Sequence, residues 1–181
     1  MKFNRVSAFA GVCCLFVPFA VGMAHAQSDP TLDQDKTFLM KASEGGMAEV
    51  QLGQLAAQKA QSSKVKAFGK KMVTDHTMLN NKLKPFADQL GVPPPTSLSP
   101  EDQAELDKLN GLSGADFDKE YVAHMEADHD KDLQAFKQEA STTQDHKLKM
   151  AVMQGEKVIE QHHQIIDRIG SQMGVAPASG M

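Results

Sequence analysis

Cysteine is missing from everything downstream of residue 14, because Cys13 and Cys14 both lie in an apolar N-terminal segment. Disulfides, thiol nucleophiles and cysteine-based metal sites are therefore excluded from the part of the chain that follows it. Tryptophan is absent, and beyond residue 26 the only aromatics are Tyr121 and five phenylalanines. A core must then be built from Ala, Leu and Met, which suits packed helices better than a β-sandwich. A basic character is lacking as well: 19 Lys and Arg stand against 23 Asp and Glu, a net charge of −4. With no strongly basic segment, nucleic acid is excluded as the main partner. No stretch keeps a two-residue alternation or carries a hairpin turn signal, so strands are not expected, nor the Gly-rich phosphate loop that follows one.

What is present begins with a leader. Residues 1–26 combine Lys2 and Arg5, an apolar run from Val6 to Met23, and Ala24-His25-Ala26 before Gln27. This is the pattern of a cleaved signal peptide, so the protein is expected in the periplasm, not membrane-spanning after cleavage. The domain plan that follows is 1–26 signal peptide, 27–34 flexible segment, 35–173 helical bundle and 174–181 disordered tail.

Four long segments repeat their apolar residues every three or four positions. The first helix is expected from Asp35 to Ala60. The second starts at Ser62 or Ser63 and passes Phe68, Met72, Leu79 and Leu83 to Gly91, with Pro85 kinking it near its end. The third begins near Asp116 and carries Phe117, Tyr121, Met125, Leu133 and Phe136. The fourth follows Thr142-Thr143 and carries Leu148, Val152, Ile159, Ile166 and Met173. The links near Gln61 and Ser141 are short and force antiparallel neighbours. The link from Gly91 to Ser113 is long, and within it Ser99-Pro100-Glu101 opens a short helix that Asn110-Gly111 stops. Such a crossover makes the second and third helices parallel, so the expected fold is an all-α, ferritin-like four-helix bundle.

The string Gly45-Gly46-Met47-Ala48-Glu49-Val50-Gln51-Leu52-Gly53, then Val65-Lys66-Ala67-Phe68, Met72-Val73-Thr74-Asp75-His76, Phe117-Asp118-x-x-Tyr121 and His129, resembles the bacterial family called domain of unknown function 4142. The resemblance runs from Phe38 to Ile169. It implies a ferritin-like bundle in exported proteins of Gram-negative bacteria, often given an outer-membrane label, and no established activity. Amphipathic helices without barrel-strand alternation do not fit insertion into that membrane, though association with it remains compatible.

Each long helix places one main ionisable group inside its apolar stripe: Glu49, His76, His129 and His162. Glu49 is flanked by Gly45, Gly46 and Gly53, which leave room beside it. Counted from the short links, Glu49, His76 and His129 should be level, while His162 should sit ~10 Å off, nearer Tyr121. Met72-x-x-Asp75-His76 and Met125-x-x-Asp128-His129 repeat one spacing, with Met and His on one face. Imidazole and carboxylate favour Zn(II), Fe(II) or Mn(II), and added thioethers favour copper as Cu(I). The alternative is a polar core whose histidines and Glu49 only hydrogen-bond one another. Asp132 is the residue expected to orient His129.

Other signals are weaker. Glu126-x-x-His129 and Glu160-x-x-His163 have di-iron spacing but the wrong helix phase. Asp128-x-Asp130-x-Asp132 has calcium-loop spacing but Leu133 where a sharp turn needs glycine. Asp75, His76 and Thr77 are consecutive, so no hydrolytic triad forms. The expected function is thus binding or stress protection in the periplasm rather than turnover, with a central site suited to one transition metal ion (Zn, Fe, Mn or Cu). A non-catalytic structural or interaction protein of the cell envelope is the alternative, and neither a protein partner nor an oligomeric state can be read from the residues.

Overall fold

A computed structural model of the 181-residue chain describes residues 29–175. The expected signal peptide and most of the expected tail lie outside these residues. Five helices and no strand are formed among them: α1 (Pro30–Lys59), α2 (Ser63–Gln89), α3 (Pro100–Gly111), α4 (Gly114–Thr142) and α5 (His146–Met173). The third and fourth expected long helices are α4 and α5, and α3 is the expected short helix of the crossover.

Polar side chains cap three of the five helix starts. Asp29 accepts from Thr31 N at 2.9 Å with Pro30 in the first turn, Ser99 accepts from Asp102 N, and Asp145 accepts from Lys147 N and Leu148 N. Gly174, at φ 67°, closes α5 in the left-handed conformation. Two expectations need correction here. Residues 30–34 belong to α1 and are not a flexible segment, because Asp29-Pro30 is a helix start signal in its own right. Ser62 occupies the N-cap position of α2 but makes no side-chain cap bond. Instead Asp118, buried on α4, accepts from Gln61 N at 3.0 Å and Ser62 N at 2.6 Å. Helix α2 continues through Pro85 to Gln89.

Helix α1 lies against α2 and α4, and α5 lies against the same two. One apolar cluster joins Leu52 and Ala56 of α1, Phe68 and Met72 of α2, Phe117 and Met125 of α4, and Ile166 of α5. A second joins Leu39, Leu83, Phe136 and Val152 of the same four helices. The N-terminal halves of α2 and α4 thus share one end of the bundle with the C-terminal halves of α1 and α5. Helices α2 and α4 run parallel, as the long crossover requires, and the bundle is ferritin-like. Helix α3 packs on α1 and α4 through Leu109, which is fully buried, and Lys59 Nζ donates to the carbonyls of Leu109 and Asn110 at its end.

Candidate metal centre

Between the two apolar clusters the bundle has a polar waist. Glu49 of α1, His76 of α2, His129 of α4 and His162 of α5 are each at most 1% exposed. The α1–α2 side of this waist depends on two glycines. A Cβ at Gly53 would lie 2.8 Å from Gly69 O, and one at Gly69 would lie 2.7 Å from Gly53 O. Backbone meets backbone there, which brings Glu49, one turn away, against His76: Glu49 Oε2 is 2.5 Å from His76 Nδ1.

The three histidines converge, each offering one ring nitrogen to a group whose members lie within 4.8 Å of one another. His162 Nδ1 stands 3.2 Å from His76 Nε2 and 3.4 Å from His129 Nε2. Their outer nitrogens are all engaged. His129 Nδ1 donates to Met125 O at 2.9 Å, and because a carbonyl can only accept, His129 Nε2 must carry a lone pair when the ring is neutral. His162 Nε2 is held by Asp75 Oδ2 at 2.8 Å, and Asp75 also accepts from Lys71 Nζ at 2.7 Å. His76 Nδ1 is held by Glu49. With each outer nitrogen donating, the three inner nitrogens keep their lone pairs, within 4.8 Å of one another.

Burial dominates the electrostatics of the waist. It pushes His76 and His162 down to about 4 and His129 well below the ordinary imidazole value, so the rings are neutral at pH 7. It pushes the Glu49 carboxyl well up, and the charges of Asp128 and Asp102 add to that. Burial also works to raise Asp75, but the Lys71 and His162 hydrogen bonds outweigh it and hold that carboxyl below its ordinary value. Glu49 Oε1 has no hydrogen-bond partner and is 3.8 Å from His129 Nε2. Phe68 closes the waist on one side, its ring centroid 5.9 Å from His162 and 6.3 Å from His129.

All four sequence-derived residues are brought together, and His162 is closer than its spacing suggests. Residues 143–145 form a turn without helical rise, so His129 lies thirteen residues before the end of α4 and His162 sixteen after the start of α5. The expected ~10 Å offset shrinks accordingly. Asp132 does not orient His129, whose outer nitrogen is taken by Met125 O; it lines a cleft between α1 and α4. Sequence reasoning missed Asp75 as the holder of His162, although the repeated Asp-His pair marked it. It also missed Phe68, and it missed the burial of Glu126, whose Oε1 occupies the space beside Gly170. Glu160 is exposed, in line with its outward phase.

The sequence matches the family described as Domain of unknown function (DUF4142) over residues 21–169, and the chain belongs to that family. Its fold is shared by a DUF305 protein of Streptomyces coelicolor, described as secreted. The two are 14% identical with a TM-score of 0.69 over 81% of this chain and 98% of that one. A DUF305 fragment from Deinococcus radiodurans is similar too, 13% identical with a TM-score of 0.64 over 78% of this chain and 95% of that one. At these identities the likeness concerns the fold. No curated protein sequence matches the chain. No helix among the described residues is long and apolar enough to cross a membrane.

Proposed function

We propose that this is an exported periplasmic protein whose four-helix bundle holds one transition metal ion at His76, His129 and His162, with Glu49 beside them. The observation that carries this reading is the set of three ring nitrogens with their outer sides occupied. A tetrahedral ion with nitrogen bonds of ~2.0–2.1 Å needs donors about 3.3 Å apart, and two of the spacings are 3.2 and 3.4 Å. Carboxylate or carbonyl partners on the far nitrogens are the usual support of ligating histidines.

A purely structural polar core accounts for less. If Glu49 were protonated and donated to His76, His76 could donate to His162, but His129 Nε2 and Glu49 Oε1 would still lack a hydrogen. A cation on the three inner nitrogens would satisfy His129 Nε2 and, through the His76 Nδ1 hydrogen bond, would favour the ionised form of Glu49. Three imidazoles and one carboxylate suit Zn(II), Fe(II), Mn(II) or Cu(II), while the buried Met72 and Met125 keep Cu(I) within the set to be tested. The leader of residues 1–26 and the secreted character described for the Streptomyces relative support export. The reading is one of metal binding in an envelope or stress-related role.

Elemental analysis of the mature protein, residues 27–181, purified from periplasm without a histidine tag, tests it alongside titrations with each metal. About one equivalent of one metal is expected, and it should be lost in His76→Ala and His129→Ala. Failure to bind any of these ions stoichiometrically would leave the waist as core architecture.

A further inference from the structure

A groove of about 360 Å³ runs between the N-terminal half of α2 and the C-terminal half of α5. Its apolar part is Phe68, Ile165 and Ile169, and its charged part is Lys64, Lys71 and Arg168. No carboxylate lines it, in a chain whose net charge is −4. Lys64 Nζ is bonded to the neutral Gln172 Oε1, which leaves its charge unopposed, and Arg168 is exposed. The groove is therefore a concave positive site on an acidic protein.

It meets the polar waist at two residues. Phe68, only 2% exposed, forms part of the groove wall, and its ring is also the one that stands 5.9 Å from His162 and 6.3 Å from His129. Lys71, three residues on, holds Asp75, which in turn holds His162 Nε2. One aromatic ring thus stands between the groove and the histidines. Charge at the waist is also incomplete. Lys71 offsets Asp75, so a dipositive ion beside an ionised Glu49 would keep one positive charge in a low-dielectric interior. Three ring nitrogens leave the fourth position of a tetrahedral ion to a further ligand. A small monoanion answers both needs.

We propose that the α2–α5 groove is the entrance through which a small monoanion reaches a metal ion at the histidines, with Lys64 and Arg168 drawing it in and Phe68 as the gate. This rests on the metal-binding reading of the three histidines. Cations around a concave entrance raise the rate at which an anion arrives and have little hold on it once it has passed the ring. The ring slows entry and exit alike.

Azide and the mature protein loaded with Co(II) test this in stopped flow, read by the ligand-field absorption of the cobalt. About one azide per cobalt should bind, at a rate that falls as salt is added. Lys64→Gln/Arg168→Gln should hold as much cobalt as the parent and take up azide about tenfold more slowly at low ionic strength, with release unchanged. Phe68→Leu should speed uptake and release by the same factor and leave the affinity for azide as it was. Association at the parent's rate in either variant would overturn the entrance. A cobalt spectrum that azide does not alter would overturn the open position and leave the histidine centre standing. Failure of the parent to take up Co(II) at all would remove the centre, and the entrance with it.

Discussion

Asp75 shows how one residue can serve two helices. It stands beside His76 in sequence, yet its carboxylate crosses to α5 and fixes His162 Nε2 at 2.8 Å, with Lys71 Nζ keeping it ionised. Asp75→Asn should keep about one equivalent of metal while weakening affinity by about 10–100-fold, as loss of a ligand's outer partner generally does. Competition with a chelator of known affinity checks this, and an unchanged constant would remove Asp75 from the support of the site. The sequence made the four central residues legible because each breaks an apolar stripe. Asp75 was less legible, because one helix's periodicity reports which face a residue occupies and not which neighbouring helix its side chain reaches. Glu126 and Asp118 were missed for a related reason: charge at a stripe edge reads as solvated until the neighbour that covers it is known.

At the scale of elements, the close pairing of α1 with α2 and the clamp between α1 and α4 matter most. Gly53→Ala would set a methyl 2.8 Å from a backbone oxygen, which no side-chain rotation can relieve. It should cost about 1–3 kcal/mol in urea unfolding and weaken metal binding by moving Glu49 from His76. A stability equal to the parent would show that the helices part without penalty. The clamp joins Asp35 of α1 to Glu139 of α4, with Thr143 Oγ1 donating to Asp35 Oδ2 at 3.1 Å. Burial pushes Glu139 up to about 7, and the hydrogen bond and charge of Asp35 contribute. Because the folded state holds this proton more tightly than the unfolded chain, the clamp's contribution is complete below the ordinary carboxyl value near 4.5. It is lost as pH rises through about 7. Relative to the parent, Glu139→Gln should therefore gain stability between pH 5 and pH 8, measured by urea midpoints. A constant difference across that range would exclude the shared proton. Element boundaries were legible at the start of α3, where Ser99-Pro100 marks it, and at the end of α5, where Gly174 does, whereas the Asp29-Pro30 start of α1 was passed over. The start of α2 was legible but not its cause, since the turn before it is held by Asp118, 56 residues away from Ser62.

For the whole molecule, the ferritin-like arrangement followed from connection lengths: two short links give two antiparallel hairpins, and the long crossover makes α2 and α4 parallel. That reasoning did not locate His162, because the length of the α4–α5 turn cannot be read from periodicity. The donors are distributed across this plan, with Glu49 and His76 in the first hairpin and His129 and His162 in the second. Neither hairpin alone holds the three nitrogens, so the donor set exists only after the two have docked. An ion held there would enter late in assembly and would have to leave, or lose donors, before the hairpins could separate. It would act on the lifetime of the native state more than on the speed of reaching it, lowering the unfolding rate with little change in folding rate. Under the proposed export, such a lock would lengthen survival in the envelope without asking for a larger apolar core.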